Sequence, residues 1–167
     1  MPEIAPLQAS QAAEARRVIY TVAFFLFHDR PTLEESIAYY EQDWPIPDVE
    51  DFQHVYLENG GTFLVIRDGA AIIGTGALRR LEEGVGEIKR LWLLPQYHGQ
   101  GLGYRMMQAL IAVAREKGYT RLLLQTSPFY QPRAFAFYRQ LGFYELPRYE
   151  VTPYEDDPYE VGMEMIL

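Results

Sequence analysis

A run of β-strand residues that passes through a glycine-rich turn directly into an amphipathic helix constrains this fold more than any other feature of the sequence. The strand pattern covers residues 87–94 and is stopped by Pro95, and glycines follow at positions 99, 101 and 103. Glycine adopts positive φ and lets the backbone approach a ligand closely, while the first amides of a helix have no internal acceptor. Those amides also carry the positive end of the helix dipole, so the segment predicts a site for an anion such as a diphosphate.

Other phosphate-binding turns have different spacings. A Walker P-loop requires a lysine after its glycines, which this turn lacks, and a dinucleotide fingerprint has the spacing GxGxxG where this chain has GxGxG. Two alternatives stay open at this point. One is a nucleotide-binding protein that uses the turn in another way, and the other is a tight turn whose glycines serve only its own shape.

The residues before the turn predict helices followed by a β-meander. Each expected helix has a polar capping residue: 11–27 with Ser10 as N-cap, a second helix from the capping box Thr32 and Glu35, and a short third helix capped by Asp48. Residues 4–7 fit a short strand. Residues 62–66 and 71–78 are rich in β-formers and flank a hairpin signal, Asp68-Gly69.

The residues after the turn predict helix, strand, helix and two closing strands. The helix over 103–117 carries one apolar stripe, made of Met106, Met107, Leu110, Ile111 and Ala114. The leucines at 122–124 suit a strand covered on both faces, as in parallel pairing across a helix. Pro132 opens the next helix and Gly142 ends it, and strands are expected at 143–151 and 161–167.

This order of elements predicts one α/β domain over residues 1–167. Its centre would be a mixed, mostly antiparallel sheet flanked by helices, with one parallel β-turn-α-β unit. The sequence has no internal repeat and no long polar linker that would divide it.

Composition excludes several classes of function. With no cysteine the chain forms no disulfide and offers no thiolate, and its three histidines lack metal-ligand spacing, so no metal is expected. A net charge of −8 disfavours nucleic acid as a partner. The longest strongly apolar run, 18–27, is too short to cross a membrane, which leads us to expect a cytoplasmic protein.

Two motifs together resemble the GNAT superfamily of N-acetyltransferases. The segment 98–103, His-Gly-Gln-Gly-Leu-Gly, is similar to the superfamily's motif (Arg or Gln)-x-x-Gly-x-(Gly or Ala), with His98 in place of the usual first residue. The segment 134–143 is similar to its AxxxYxxxGF motif. Gln131 stands where many members have asparagine. The likeness extends weakly from about Thr62 to the C-terminus.

The resemblance implies an enzyme that transfers an acetyl group from acetyl-CoA to a primary amine of a small molecule or protein. It implies cofactor contacts at two places, the strand–turn–helix segment and the start of the next helix: Leu91, Trp92, Leu93, His98, Gly99, Gln100, Gly101, Leu102, Gly103, Tyr104 and Gln131. The amide at Leu93 would donate to the developing oxyanion. A homodimer is possible, since small members often pair. A catalytically silent CoA-binding or regulatory module on the same fold is the alternative.

The chemistry requires a base and an acid, because a protonated alkylamine with a pKa near ~10.4 is not a nucleophile and a thiolate must leave. The resemblance points to Glu87 as the base and Tyr138 as the acid. From its residue type alone, Glu87 could equally be a solubilising or ion-paired carboxylate, and Tyr138 could be a core aromatic.

The resemblance also places the amine acceptor between the first helices and the late strands. The residues expected there are Phe27, His28, Tyr39 or Tyr40, and the tyrosine-rich loop Tyr154 to Tyr159, whose Asp156 and Asp157 could attract a cation.

Overall fold

The computed structural model describes residues 1–147 and 159–167. Within them, seven strands form one sheet in the order β1-β2-β3-β4-β5-β7-β6. The strands are β1 Glu3–Pro6, β2 Thr62–Asp68, β3 Ala71–Glu82, β4 Val85–Leu93, β5 Arg121–Thr126, β6 Tyr144–Glu145 and β7 Val161–Ile166. The helices are α1 Ala12–Phe27, α2 Leu33–Asp43, α3 Pro47–Glu50, α4 Leu102–Glu116 and α5 Pro132–Leu141, with a π-helical turn at Gln53–Leu57 and 3-10 turns at Ala9–Gln11 and Pro95–Tyr97.

The sheet is mostly antiparallel, as predicted. Among the described strands only β4 and β5 run parallel, and α4 connects them. The mixed α/β fold with a parallel β-turn-α-β unit is therefore confirmed.

Helices cover both faces of the sheet, and two apolar clusters fill the spaces between. The predicted stripe of α4 is fully buried against one face, where it meets Leu122, Leu124 and Met163. The opposite face packs on α1 and the segment that follows α2, through Val18, Phe52 and other apolar residues. The leucines of β5 are buried, as expected for a strand covered on both faces.

The first helices differ from the prediction in how they begin. The hydroxyl of Thr32 accepts from the amide of Glu35 at 3.2 Å, so this cap of α2 is confirmed. The prediction of Ser10 as N-cap is wrong, because Ser10 lies inside a 3-10 turn and α1 starts at Ala12. The amide of Gln8 donates instead to the side chain of Gln11, which closes that turn.

The closing strands are shorter than predicted in the described part of the chain. The strand expected over 143–151 comprises Tyr144–Glu145, and residues 148–158 lie outside the described residues. Strand β7 pairs with both β5 and β6. None of the helices in the described ranges has the length and apolar character needed to cross a bilayer.

Candidate active site

A β-bulge in β4 separates this strand from its neighbour β5. Lys89 pairs with Ala77 and Trp92 with Thr75 on β3, so β4 has one extra residue between these pairs. Arg90 lies in this bulge with φ of 54°, a conformation that costs a non-glycine residue energy. The parallel pairing with β5 ends at Glu87, before the bulge. The sheet is therefore open between the second half of β4 and the end of β5.

A cavity of ≈ 290 Å³ lies at this opening, near the lower end of the ~300–1,000 Å³ typical of small-molecule sites. Its floor is formed by the two separated strands, residues 88–92 and 124–127. Helix α1, the end of α2 and the start of α5 form its sides. Four residues predicted to contact the cofactor or to catalyse line it: Leu91, Trp92, Gln131 and Tyr138.

The glycine-rich turn follows directly at the end of β4 and leaves a row of amides without acceptors. Gly99 and Gly101 have φ of 79° and 75°, and a Cβ added to either would meet no atom within 4 Å. The first hydrogen bond of α4 runs from the amide of Arg105 to the carbonyl of Gly101. The described residues offer no acceptor to any amide from Gly99 to Tyr104. Six successive amides next to an open space have the arrangement that an anion site requires, and the binding of a diphosphate there stays a prediction.

His98 differs from the prediction. Its amide donates to the carbonyl of Pro95 at 3.1 Å, so it belongs to the turn that precedes the cradle. Its Nε2 lies 3.0 Å from the carbonyl oxygen of Leu93, a distance at which the ring N–H donates to the end of β4. His98 thus ties the turn to the strand. Arg105 donates to the carbonyl of Pro2 at 3.3 Å.

Leu93 does not line the cavity, but its amide N–H has the direction expected of an oxyanion donor. The next amide, that of Leu94, donates to the carbonyl of Ile73 across β3 at 3.0 Å. Successive amides of a strand point to opposite edges, so the amide of Leu93 points to the edge that β5 has left. That is the position expected of an oxyanion donor.

Tyr138 is buried at the α5 side of the cavity, 7% exposed. Burial raises the pKa of this phenol well above its usual value. The hydroxyl therefore keeps its proton at neutral pH and is able to donate it, or a hydrogen bond, to a group in the cavity.

Glu87 lies outside the residues that line the cavity. Its carboxylate accepts a hydrogen bond from Nε of Arg79 at 2.8 Å, and the two residues face each other on β4 and β3. The buried carboxylate is thus held in an ion pair. Glu87 is the last residue of β4 that pairs with β5, so this ion pair lies just before the opening between the two strands.

An ion pair between Arg90 and Asp48 connects the bulge to the helical layer. The carboxylate of Asp48 accepts from Nη2 and Nε of Arg90 at 2.7 and 2.8 Å, and from the hydroxyl of Tyr56 at 2.5 Å. Burial opposes the ionisation of Asp48, but the bonds and charge of Arg90 outweigh it and lower the pKa of this carboxyl below its usual value. The prediction that Asp48 caps a helix is therefore wrong, because its side chain is committed to Arg90. On the other side of the bulge, the hydroxyl of Thr75 donates to the carbonyl of Arg90 at 2.6 Å.

The predicted acceptor residues divide into two groups. Phe27 and Tyr40 line the cavity. His28 ends α1 in the left-handed conformation against the ring of Phe24, and Tyr39 lies under the guanidinium of Arg30. Of the loop from Tyr154 to Tyr159 only its last residue is among those described.

Sequence reasoning missed several lining residues: Tyr20, Trp44, Ile46, Thr126, Ser127 and Glu160. They come from separate segments and belong to no shared motif, so only the fold brings them together. In residues 1–147 and 159–167, no group of three or more His, Cys, Asp or Glu side chains is arranged to hold a metal ion.

Comparisons with known proteins agree on one family. The sequence model of the acetyltransferase (GNAT) family matches residues 30–143. N-acetyltransferase YjgM of Escherichia coli is 29% identical over 100 residues, which are 58% of this chain and 59% of that protein. An IAA acetyltransferase of Azospirillum brasilense is 38% identical over 82 residues, 48% of this chain and 53% of that protein. The chain thus spans between about half and three fifths of the length of these relatives.

Solved structures share the whole architecture. An acetyltransferase of the GNAT family from Staphylococcus aureus superposes with a TM-score of 0.81 at 21% identity, covering 99% of both chains. PaiA N-acetyltransferase from Thermoplasma acidophilum, solved in complex with coenzyme A, has a TM-score of 0.75 at 18% identity and covers 100% of this chain and 99% of that one. At this level of identity the likeness concerns the fold.

Proposed function

Because this chain belongs to the acetyltransferase (GNAT) family, we propose that it transfers an acetyl group from acetyl-CoA to a primary amine. The observation that carries the proposal is the row of six amides, from Gly99 to Tyr104, which have no acceptor among the described residues and follow the strand that lines the cavity. The diphosphate of coenzyme A would bind these amides. Its pantetheine arm would then follow β4 along Leu91 and Trp92, where β5 no longer occupies the edge of the strand.

The reaction forms one amide bond and breaks one thioester. The neutral amine nitrogen attacks the acetyl carbonyl carbon, the C–S bond breaks, and one proton of the amine passes to the departing thiolate, which is released as a free thiol. The products are an N-acetylated amine and coenzyme A. The amide of Leu93 would stabilise the oxyanion, and Gln131 would contact the pantetheine arm from the start of α5.

Tyr138 is the residue we assign to the departing sulfur. A free thiol titrates near ~8.5, below the raised pKa of this phenol. The phenol would therefore stabilise the departing thiolate by donating a hydrogen bond, and the proton lost by the amine would complete the thiol.

The test of the proposed function has two measurements. Isothermal titration with acetyl-CoA reports binding, and release of free thiol in the presence of a panel of primary amines reports turnover. Binding together with amine-dependent thiol release is expected. A silent CoA-binding module would bind and release none, and a nucleotide-binding protein would prefer ATP or NAD in the same titration.

Removing the Tyr138 hydroxyl is expected to affect turnover more than binding. We expect Tyr138→Phe to lower kcat about tenfold to a hundredfold and to change the KM for acetyl-CoA less than threefold, because the hydrogen bond to sulfur strengthens only as charge develops. Tyr97→Phe is the matched control, since the Tyr97 hydroxyl donates to Asp68 and does not line the cavity. An unchanged kcat in Tyr138→Phe would remove this residue from the acid role.

The role of Glu87 as base stays a hypothesis, and the ion pair with Arg79 favours the alternative, a structural role. A base would be indispensable, so its loss would lower kcat by ~10²-fold or more. Because the carboxylate is paired with Arg79 outside the lining, we expect Glu87→Gln to leave kcat within about twofold and to lower the free energy of unfolding by about 2 kcal/mol.

Arg79→Met is the control for Glu87→Gln. It removes the ion pair and leaves the buried carboxylate uncompensated, so a purely structural role predicts a loss of stability at least as large as in Glu87→Gln and a similar kcat in both variants. A large fall of kcat in Glu87→Gln alone would establish Glu87 as the base.

A further inference from the structure

Aromatic rings line part of the cavity and continue to the surface. Successive ring centroids lie 5.6 Å apart for Tyr20 and Tyr40, 6.2 Å for Tyr40 and Trp44, 6.4 Å for Trp44 and Phe27, and 5.5 Å for Phe27 and Tyr130. We call these five residues the aromatic wall. Four of them line the cavity, and Tyr130 extends the wall outward. These spacings are those of edge-to-face and offset ring contacts.

The outer end of the wall leaves large apolar surface in water. Trp44 is 57% exposed and Tyr130 42%, and Phe129, packed on Tyr130 at 4.9 Å, is 67% exposed. Exposed aromatic groups that adjoin a cavity are typical of a ligand-binding surface. The wall is formed by residues from three separate segments of the chain.

Polar groups also line the cavity, near the end of β5. Thr126 is buried, lines the cavity, and its hydroxyl oxygen finds no hydrogen-bond partner in the described part of the chain. A buried hydroxyl without a partner is costly, and a ligand atom would satisfy it. Glu160 also lines the cavity and precedes Val161, the residue that pairs with Thr126 across β5 and β7. A hydroxyl and a carboxylate therefore lie at the same end of the sheet.

We propose that this cavity takes, as acceptor, a small primary amine carried on an aromatic carbon skeleton. Its ring would lie against the aromatic wall, and its amino group would be directed toward Glu160 and Thr126, between the wall and the thioester side marked by Tyr138. The inference rests on the proposed function, since it names the substrate class of that site. A polyamine has no ring to lie against the aromatic wall and would place charged groups beside these apolar side chains, at a cost in desolvation.

The chain carries its own probe for binding. Both of its tryptophans, Trp44 and Trp92, line the cavity. Tryptophan fluorescence of the protein loaded with coenzyme A therefore reports occupancy without any turnover. We expect a saturable change with 2-phenylethylamine at a concentration at least tenfold lower than with n-butylamine, and none with spermidine in that range.

Steady-state rates with acetyl-CoA test the same ranking. We expect kcat/KM for 2-phenylethylamine to exceed that for n-butylamine by at least tenfold, and Phe27→Leu to reduce this ratio at least threefold. Phe25→Leu is the matched control, because Phe25 is exposed on the same helix but does not line the cavity. Glu160→Gln is expected to raise the KM for the amine about tenfold and to leave the KM for acetyl-CoA within twofold.

Two results would overturn the inference. If n-butylamine or spermidine is acetylated as well as 2-phenylethylamine, the aromatic class is wrong while acetyl transfer stands. If the folded protein binds no acetyl-CoA, the proposed function falls and the acceptor class falls with it.

Discussion

Replacing Gly101 with glutamate is expected to weaken the binding of acetyl-CoA by about a thousandfold. The new carboxylate would lie among the amides that we propose bind the diphosphate, since a side chain at this position points into open space. Two unit charges 4 Å apart interact by about 4 kcal/mol at the effective dielectric constant of a protein surface, and each 1.4 kcal/mol is a tenfold change in affinity, so repulsion of this size corresponds to about 10³. Isothermal titration measures the loss directly.

Three variants separate charge from backbone strain. Gly101→Gln has the size of Gly101→Glu without its charge, so both share the cost of a side chain at φ of 75° and differ in repulsion alone. Gly118→Glu adds the same charge at a φ of 81° at the other end of α4, again in open space. We expect Gly101→Gln to weaken binding about tenfold and Gly118→Glu to leave it within threefold.

The charge series also has a decisive negative result. If Gly101→Glu remains folded, as judged by its thermal unfolding, and still binds acetyl-CoA within threefold of the parent chain, the amides of residues 99–104 do not hold the diphosphate. The proposed function would then lose the observation on which it depends.

Local chemistry explains which parts of the site could be predicted from the sequence. The cradle depends on residues adjacent along the chain, two of which need positive φ, so Gly99 and Gly101 indicate it directly. The apolar stripe of α4 has a period that only a helix satisfies, and it predicts both the helix and its buried face. Tyr138 was predicted from the AxxxYxxxGF motif, whose alanine and tyrosine lie in the same helix, α5.

The rest of the site depends on contacts between residues far apart in sequence. The bulge at Arg90 is stabilised by Asp48, which lies 42 positions earlier in the sequence. No pattern of residues around Asp48 indicates that Arg90 is its partner. Asp48 and Ser10 have the residue types of helix caps, yet an ion pair and a 3-10 turn decide their roles. Most of the aromatic wall and Thr126 come from separate segments that the fold brings to one cavity, at the place where β4 no longer pairs with β5.

Asp48 is therefore expected to have the largest effect on stability of any side chain near the site. Asp48→Ala would leave the guanidinium of Arg90 buried without its counter-charge and Tyr56 without its acceptor. Breaking a buried pair by removing one partner costs ~3–5 kcal/mol, and the lower end applies because Arg90 keeps 21% of its side chain exposed. A loss of about 3 kcal/mol would lower Tm by about 10 °C in a chain of this length. Urea unfolding at neutral pH measures the free energy.

The pH dependence of this loss has a defined sign. The pKa of Asp48 is lowered in the folded state, so its contribution to stability is fully present above the unfolded pKa of about 3.9 and is lost as the pH falls through the lower folded value. The difference in stability between the parent chain and Asp48→Ala should thus be constant from pH 5 to 7 and shrink below pH 4. A difference that grows on acidification would contradict the ion pair.

A second substitution tests whether the ion pair between Asp48 and Arg90 stabilises the strained backbone conformation of Arg90 in the bulge. Arg90→Gly removes the unpaired charge and suits a φ of 54°, so in the Asp48→Ala background it should restore part of the lost stability, whereas alone it should destabilise. Because the bulge opens β4 from β5, loss of the pair should also raise the KM for acetyl-CoA, and Arg90→Gly should not return it to the parent value. If Asp48→Ala and Arg90→Gly proved simply additive in stability, the bulge would be independent of the ion pair, and the opening of the sheet would need another cause.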